Sequence, residues 1–303
     1  DNYYEKKEDY KKFQGYDYMK LFVYYRTLYG GSKLQNHGLN NRAIGEFRNK
    51  THTEQDLFVI DNGKYAIHIE YLYSAGKDIS KTVNKIVEKY IELLMEKDNE
   101  LIGVLKKINE LNTYTEKKSK LNELLSDDAE ARIFEIISYA ILKNHYKNQF
   151  IYIGHSMENI QKEYLNLYKT GRTNANDGGI DFVMRPLGRF YQVTEVESYD
   201  KYFLDIDKVM HFPITFVIKT TKHKEIILKE MADYIEIKSA GMEMIKKRYD
   251  GTVEEIITIN ELKKWILELE DKDIDGIIRD IDIYFKLEMN MEEEIEAEED
   301  AEE

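Results

Sequence analysis

The sequence predicts an α/β fold in which helices cover a central sheet. Three features predict it: an amphipathic helix over residues 126–142, a pair of short strands that return beside each other between residues 180 and 197, and the apolar stretch Phe212–Ile218 after a helix over 202–209. A strand as apolar as the last is usually covered on both faces. Helix, hairpin, helix and buried strand in this order are typical of an α/β domain.

The helix over 126–142 begins at a good capping residue, because Ser126 precedes several acidic residues that favour a helix N-terminus. Its expected buried face consists of apolar residues at helical spacing: Phe134, Ile137, Ala140 and Ile141. Beyond it, Phe150–Ile153 predicts a short strand, and residues 158–168 predict one or two helical turns.

The N-terminal part of the chain predicts helices and one hairpin. Met19–Leu28 is expected to be a helix that ends at Gly30-Gly31. The Asn62-Gly63 pair between two apolar runs predicts a tight β-hairpin. Residues 79–125 have apolar residues in steps of three and four, which predicts two amphipathic helices with a break near Asn112. These helices are candidates for an arm, a dimerisation element or ordinary core helices.

Four segments follow from this pattern. Residues 1–125 form an N-terminal region of hairpin and helices for recognition or dimerisation, residues 126–240 the sheet-containing core, residues 241–291 a helical C-terminal part, and residues 292–303 an acidic tail expected to be disordered. Residues 224–270 are expected to be mostly helical, with a short strand near residues 234–237.

Composition narrows the class of protein. The 303 residues are 42% hydrophobic and 34% charged, and no run of 18 apolar residues predicts a membrane span. With no cysteine, the chain has no disulfide and no zinc–thiolate site, and a cytoplasmic location is the default expectation. The net charge is −14, but nine acidic residues lie in the tail, so the rest carries −5, which leaves room for a local basic surface.

The most informative motif is the stretch Asp177-Gly178-Gly179-Ile180-Asp181. It places Asp181 where the chain leaves a Gly-Gly bend and enters a short apolar strand, so its carboxylate is the best candidate for a metal ligand. Asp177 is interpreted as a turn residue.

The strand that returns beside Asp181 admits two registers. Because side chains alternate along a strand, Gln192 and Thr194 share one face, and Glu195 and Glu197 share the other. The short turn Pro186–Arg189 favours the face of Gln192 and Thr194, with Glu195 as the alternative ligand.

The Phe134-Glu135 helix, the Gly-Gly-Ile-Asp element and the Gln192-Val193-Thr194 strand together resemble the PD-(D/E)XK nuclease superfamily, and within it the type II restriction endonucleases and Mrr-like enzymes. The resemblance covers about residues 126–220. The family pattern has Lys where this chain has Thr194, so the role of that lysine is absent or filled from elsewhere, with Lys201 and Arg172 nearest in sequence.

The resemblance implies a mixed central sheet flanked by helices, which is the restriction-endonuclease-like core. It also implies a Mg²⁺-dependent enzyme that cleaves double-stranded DNA, as in restriction–modification systems. Asp181, Gln192 and Glu195 would be metal ligands, and the catalytic set would be Asp181, Gln192, Thr194, Glu195 and Glu135, with Glu130 as the alternative to Glu135. A homodimer is also implied, since a two-fold symmetric DNA site is recognised by a two-fold symmetric protein.

Several polar and basic residues near the motif are expected to contact DNA phosphates or bases: Arg172, Asn174, Asn176, Arg185 and Arg189. A rival acid pair, Asp56 and Glu70, flanks the predicted N-terminal hairpin. The sequence thus predicts a site-specific endonuclease. Three alternatives stay open: a catalytically inactive DNA-binding protein, a helical protein-interaction module, and a nuclease that acts on RNA or DNA junctions.

Overall fold

The fold is taken from a computed structural model that describes residues 6–31, 34, 43–170, 180–195, 199–208, 212–289 and 291. The acidic tail, residues 292–303, lies outside the described residues. The chain divides into two compact units, Asp1–Gly103 with Met289–Glu303, and Val104–Glu288. None of the helices in the described part is long and apolar enough to cross a membrane.

The first unit contains short helices, two small sheets and most of one long helix. Its helices are α1 (Lys7–Tyr10), α2 (Tyr18–Arg26), α3 (Ala43–Thr51), α4 (Ile69–Leu72) and α5 (Ser80–Asn109). Its strands are β1 (Tyr16–Asp17), β2 (Phe58–Asp61), β3 (Lys64–Ile67), β4 (Tyr73–Ser74) and β5 (Lys77–Asp78). The predicted hairpin is confirmed: β2 and β3 are antiparallel, and Asn62 and Gly63 between them both have positive φ, as a type I′ turn requires.

The second unit contains a five-stranded mixed sheet. Its elements in chain order are α6 (Tyr114–Glu123), α7 (Ala131–Tyr146), β6 (Phe150–Gly154), β7 (Ile160–Tyr164), β8 (Asn166–Lys169), β9 (Phe182–Arg185), β10 (Arg189–Glu195), α8 (Tyr199–Lys208), β11 (Ile214–Lys219), α9 (Lys224–Ser239), α10 (Glu243–Asp250), β12 (Val253–Thr258), α11 (Ile259–Glu268) and α12 (Asp271–Met289). The sheet order is β12-β11-β10-β9-β8.

The strands of this sheet have two kinds of connection. β8, β9 and β10 pair antiparallel, whereas β10, β11 and β12 pair parallel through helical crossovers. β6 and β7 form a separate two-stranded ribbon. The mixed α/β class predicted from the sequence is therefore confirmed.

Helices cover both faces of the sheet. On one face, Tyr139 and Tyr146 of α7 contact the rings of Phe182 and Tyr191. On the other face, a core cluster joins α8 and α9 to β11 through Phe203, Ile227 and Phe216 among others. β11 is buried along Ile214–Ile218, as predicted for a central strand covered on both faces.

Several boundaries differ from the sequence-based expectation. α7 begins at Ala131 with Glu130 at its N-cap, so Ser126 does not cap it. Residues 158–168, expected to be helical turns, form β7 and β8 instead. The strand expected near residues 234–237 is part of α9, and a strand of the main sheet, β12, lies in the segment expected to be helical.

Candidate functional site

The candidate site lies at one end of the strands of the main sheet, along the edge that their termini form. Because β9 runs antiparallel to β8 and β10, and β11 runs parallel to β10, the ends of β8, β10 and β11 lie at the same edge as the start of β9. The residues at these four positions are Lys169, Glu195, Lys219 and, immediately before β9, Asp181. The sheet topology therefore brings together residues that are up to 50 positions apart in the sequence.

Asp181 extends the ladder between β9 and β10. Its backbone N–H donates to the carbonyl of Tyr191 at 3.0 Å, and its carbonyl accepts from the N–H of Thr170 at 3.0 Å. Its carboxylate Oδ2 accepts from the backbone N–H of Val193 at 2.6 Å. The side chain is thus fixed against the backbone of β10, two residues before Glu195, and a structural role accompanies any chemical one.

Glu135 and Lys169 form an ion pair that is largely removed from solvent. The Lys169 Nζ lies 3.0 Å from Glu135 Oε1, and the two side chains are 14% and 9% exposed. α7 supplies the carboxylate and β8 the ammonium. Since an unpaired buried charge is costly, each of these groups holds the other in place.

Glu195 and Lys219 form a second ion pair, from neighbouring parallel strands. Lys219 is 10% exposed in its side chain, whereas Glu195 is 40% exposed. Lys219 also donates to the carbonyl of Ala129, just before α7, at 2.7 Å. This contact places the second pair on the same face of the sheet as α7. We refer to Glu135, Lys169, Glu195 and Lys219 as the edge cluster.

Gln192 and Thr194 lie on the opposite face of β10 from the edge cluster. They are the cross-strand partners of Phe216 and Ile218, which belong to the core cluster with α8 and α9. Gln192 Nε2 donates to the carbonyl of Val193 at 3.3 Å, and its buried Oε1 has no hydrogen-bond partner in the described part of the chain. The face of β10 that the sequence favoured for the site, that of Gln192 and Thr194, is therefore not the face that carries the edge cluster.

Arg185 and Arg189 lie at the other end of β9 and β10, about 20 Å from Glu195 along a strand of this length. Arg189 forms ion pairs with Glu254 and Glu255, the latter at 3.6 Å. Arg185 lies over the ring of Tyr168. Neither arginine therefore lies at the same end of the sheet as Asp181, and their contact with DNA stays a prediction.

Part of the predicted site lies outside the described residues. This applies to Arg172, Asn174, Asn176, Glu197 and the Asp177-Gly178-Gly179 bend. Lys201, one of the two residues considered for the missing lysine, is an exposed residue of α8. Sequence reasoning overlooked Lys219 for that role, although a lysine that ends an otherwise apolar strand is a signal for it.

The other acidic candidates have separate partners. Asp56 forms an ion pair with Arg48, and Glu70 forms one with Lys7 at 3.4 Å. Glu130, the alternative to Glu135, lies at the N-cap of α7, 3.9 Å from Arg132.

The oxygen donors at the edge have the chemistry that Mg²⁺ prefers, since Asp181, Glu135 and Glu195 are carboxylates. Within the described ranges, however, no group of three or more His, Asp or Glu side chains is close enough to hold a metal ion. The two lysines of the edge cluster occupy the two glutamates in this arrangement. A cation at Glu195 would have to compete with Lys219.

Compared with protein-family models, the chain gives no match. The curated proteins and the solved structures likewise give no significant match.

Proposed function

We propose that the chain is a metal-dependent, site-specific endonuclease that hydrolyses double-stranded DNA, as the type II restriction enzymes do. The observation that carries the proposal is the end of the mixed sheet at which Asp181 immediately precedes β9 and the strands β8, β10 and β11 end at Lys169, Glu195 and Lys219. The order α7, β9–β10 hairpin, α8 and β11 also supports it, because this is the order expected of the nuclease core. The proposed substrate is the phosphodiester backbone of DNA.

In this proposal Lys219 takes the role of the lysine that the family pattern has at Thr194. Its ammonium contacts Glu195 from the adjacent strand, and a carbonyl before α7 holds it in position. A fixed positive charge next to a carboxylate is suited to orienting a water molecule or a phosphate oxygen. Lys169 supplies a second positive charge on the same face of the sheet.

Asp181 and Glu195 are the proposed ligands of Mg²⁺. Bound there, the ion would neutralise charge on the phosphate and lower the pKa of a water molecule. The chain's own residues have separate tasks: the backbone of Val193 orients Asp181, and Lys219 holds Glu195. Gln192 pairs with Phe216 of the core cluster, whereas Glu195 is 40% exposed, so we assign the second ligand to Glu195.

The first test is cleavage of several unmethylated genomic DNAs by the purified protein, with Mg²⁺ and with EDTA. The informative variant is Asp181→Asn, because the amide oxygen still accepts from the Val193 N–H while the charge is lost. The control is Lys201→Ala, at an exposed position of α8. We expect discrete fragments that require Mg²⁺, persist in the control and disappear in Asp181→Asn. Mg²⁺-dependent cleavage that survives Asp181→Asn would overturn the site.

A catalytically inactive DNA-binding protein is the second candidate function. It is favoured by the two ion pairs of the edge cluster, which occupy both glutamates and leave no group of three metal-ligating side chains among the described residues. The same experiment separates the two candidates. Salt-sensitive binding in a gel shift, with no cleavage of any DNA, would support the inactive protein.

A further inference from the structure

The first two-thirds of α5 has no buried side chain. Residues 81–100 are all described, and every one is exposed except the half-buried Asn84 and Asp98. Most of the stability of a helix in a protein comes from packing of its amphipathic face against other elements. Within the part of the chain that the structure describes, the apolar face of this segment of α5 is therefore left uncovered.

This segment has a wide apolar face. Val83, Val87, Tyr90 and Leu94 follow one another in steps of three and four, so they form one stripe along the helix. Ile86 and Leu93 flank it on one side and Ile91 on the other. Ile86 is 64% exposed and Tyr90 62% exposed. A contiguous exposed apolar patch larger than is typical of a monomer usually marks an interaction site.

The same stripe is covered farther along the helix. Leu101, Leu105 and Ile108 continue it toward the C-terminal end of α5, and all three are buried. The helix is thus amphipathic over its whole length, and its apolar stripe is covered at one end and exposed at the other. The exposed part has the composition of an interface.

We propose that the exposed stripe of α5 pairs antiparallel with the same stripe of a second copy of the chain, which makes the protein a homodimer. The proposal does not depend on the endonuclease function. The partner is a second copy of the chain because the two halves of the segment carry opposite net charge. Residues 81–90 carry three lysines and one glutamate, net +2, whereas residues 91–100 carry four acidic residues and one lysine, net −3.

Antiparallel pairing places the positive half of each helix beside the negative half of the other, and it opposes the two helix dipoles. A parallel pair would place like charges side by side. In the antiparallel register that superposes the stripe on itself, Val83 lies opposite Leu94 of the second copy, and Val87 lies opposite its Tyr90. This two-fold arrangement is the isologous contact typical of homodimers.

A helix pair alone is small for a stable dimer, which usually buries about 800 Å² on each partner. α2, in the same unit, has further exposed apolar side chains that can extend the contact: Met19, Leu21, Val23, Tyr24 and Tyr25. The hydroxyl of Tyr29, just after α2, donates to Asp98 of α5, so the end of α2 adjoins the exposed segment.

The test is the mass of the full chain in solution, measured by light scattering over about a hundredfold range of concentration. We expect a dimer for the wild type, and a dissociation constant at least about tenfold higher for Tyr90→Lys. Asn99→Lys is the matched control, since it adds the same charge on the opposite face of the helix and should leave the dimer unchanged. Equal far-UV circular dichroism excludes misfolding as the cause. A wild type that is monomeric throughout, or a Tyr90→Lys protein as dimeric as the wild type, would overturn the proposal.

Cross-linking tests the orientation independently, because the chain has no cysteine. Under mild oxidation, Val83→Cys combined with Leu94→Cys should give covalent dimers. Val83→Cys alone should not, since its two copies would be about 16 Å apart along the antiparallel pair. Covalent dimers from the single variant would contradict the antiparallel arrangement. Both measurements are independent of DNA cleavage, so failure of the endonuclease proposal would leave their outcome unaffected.

Discussion

At the scale of single residues, Lys219 is the position where structure and chemistry are most closely linked. Its ammonium pairs with Glu195 and donates to the carbonyl of Ala129, and its side chain is almost fully covered. Lys219→Met keeps most of the side-chain volume and removes the charge. We expect it to reduce DNA cleavage by about 100-fold or more and to destabilise the fold by only about 1–2 kcal/mol.

The decisive comparison is cleavage rate against urea stability for Lys219→Met, beside the exposed-site variant Lys201→Met. A purely structural lysine would lose stability while the folded fraction cleaved DNA at the normal rate. Full cleavage by a stable Lys219→Met protein would remove Lys219 from the proposed site.

His145 is expected to make stability depend on pH. It stacks on Trp265 with ring centroids 4.0 Å apart, and burial lowers the pKa of the imidazole, an effect that Glu268 partly opposes. When the pH falls through the ordinary histidine pKa of about 6.5, the unfolded chain takes up a proton that the folded chain resists. The stability that neutral His145 contributes is therefore fully present above this pH, and it is lost as the pH falls below it.

The measurement for His145 is the urea midpoint at pH 8 and at pH 5.5. The wild type should lose more stability between these two values than His145→Phe, which retains an aromatic ring beside Trp265. Equal losses in the two proteins would show that other groups cause the pH dependence.

At the scale of elements, the sequence predicted those segments in which the pattern of apolar and turn residues matches the burial in the structure. The Asn62-Gly63 hairpin, the break between α5 and α6, and the buried strand β11 all follow from local pattern. β7 was missed because its residues Gln161, Lys162 and Glu163 form an exposed ribbon without apolar alternation. In α9, the alternating run at residues 234–237 suggested a strand, but the buried residues Ile227, Met231 and Ile235 follow helical spacing.

β12 was missed because its first residues, Val253-Glu254-Glu255, are too polar to show the pattern of a strand. It is nevertheless a parallel strand at the edge of the sheet. Its end is defined by a capping box. The Thr258 side chain accepts from the backbone N–H of Asn260, and Glu261 accepts from the backbone N–H of Thr258 at 2.9 Å. We expect Thr258→Ala to destabilise the chain by about 1–2 kcal/mol, and Thr258→Ser to keep most of the stability. Urea unfolding of the two variants checks this, and equal midpoints would argue against a capping role.

At the scale of the whole molecule, the candidate site depends on information that local sequence does not contain. Asp181, Glu135 and Glu195 were identified from their motifs, but the lysine partners of Glu135 and Glu195 depend on strand order. Lys219 meets Glu195 only because β11 lies parallel to β10 in that register. The face of the return strand could not be decided from the sequence either, since it depends on which helices cover each side of the sheet.

The central sheet and the proposed pairing of α5 together predict a gradient of protection across the molecule in hydrogen exchange. Amides of β10 and β11 should exchange slowest, because these strands are hydrogen-bonded on both sides and lie between helices. Amides of residues 81–97 should exchange much faster in dilute protein, because this part of α5 has no buried side chain. Raising the protein concentration should slow exchange in residues 81–97 of the wild type but not of Tyr90→Lys, while β10 and β11 stay constant. Exchange in α5 that is as slow as in β11 at every concentration would contradict an exposed helix that is covered only by a second copy.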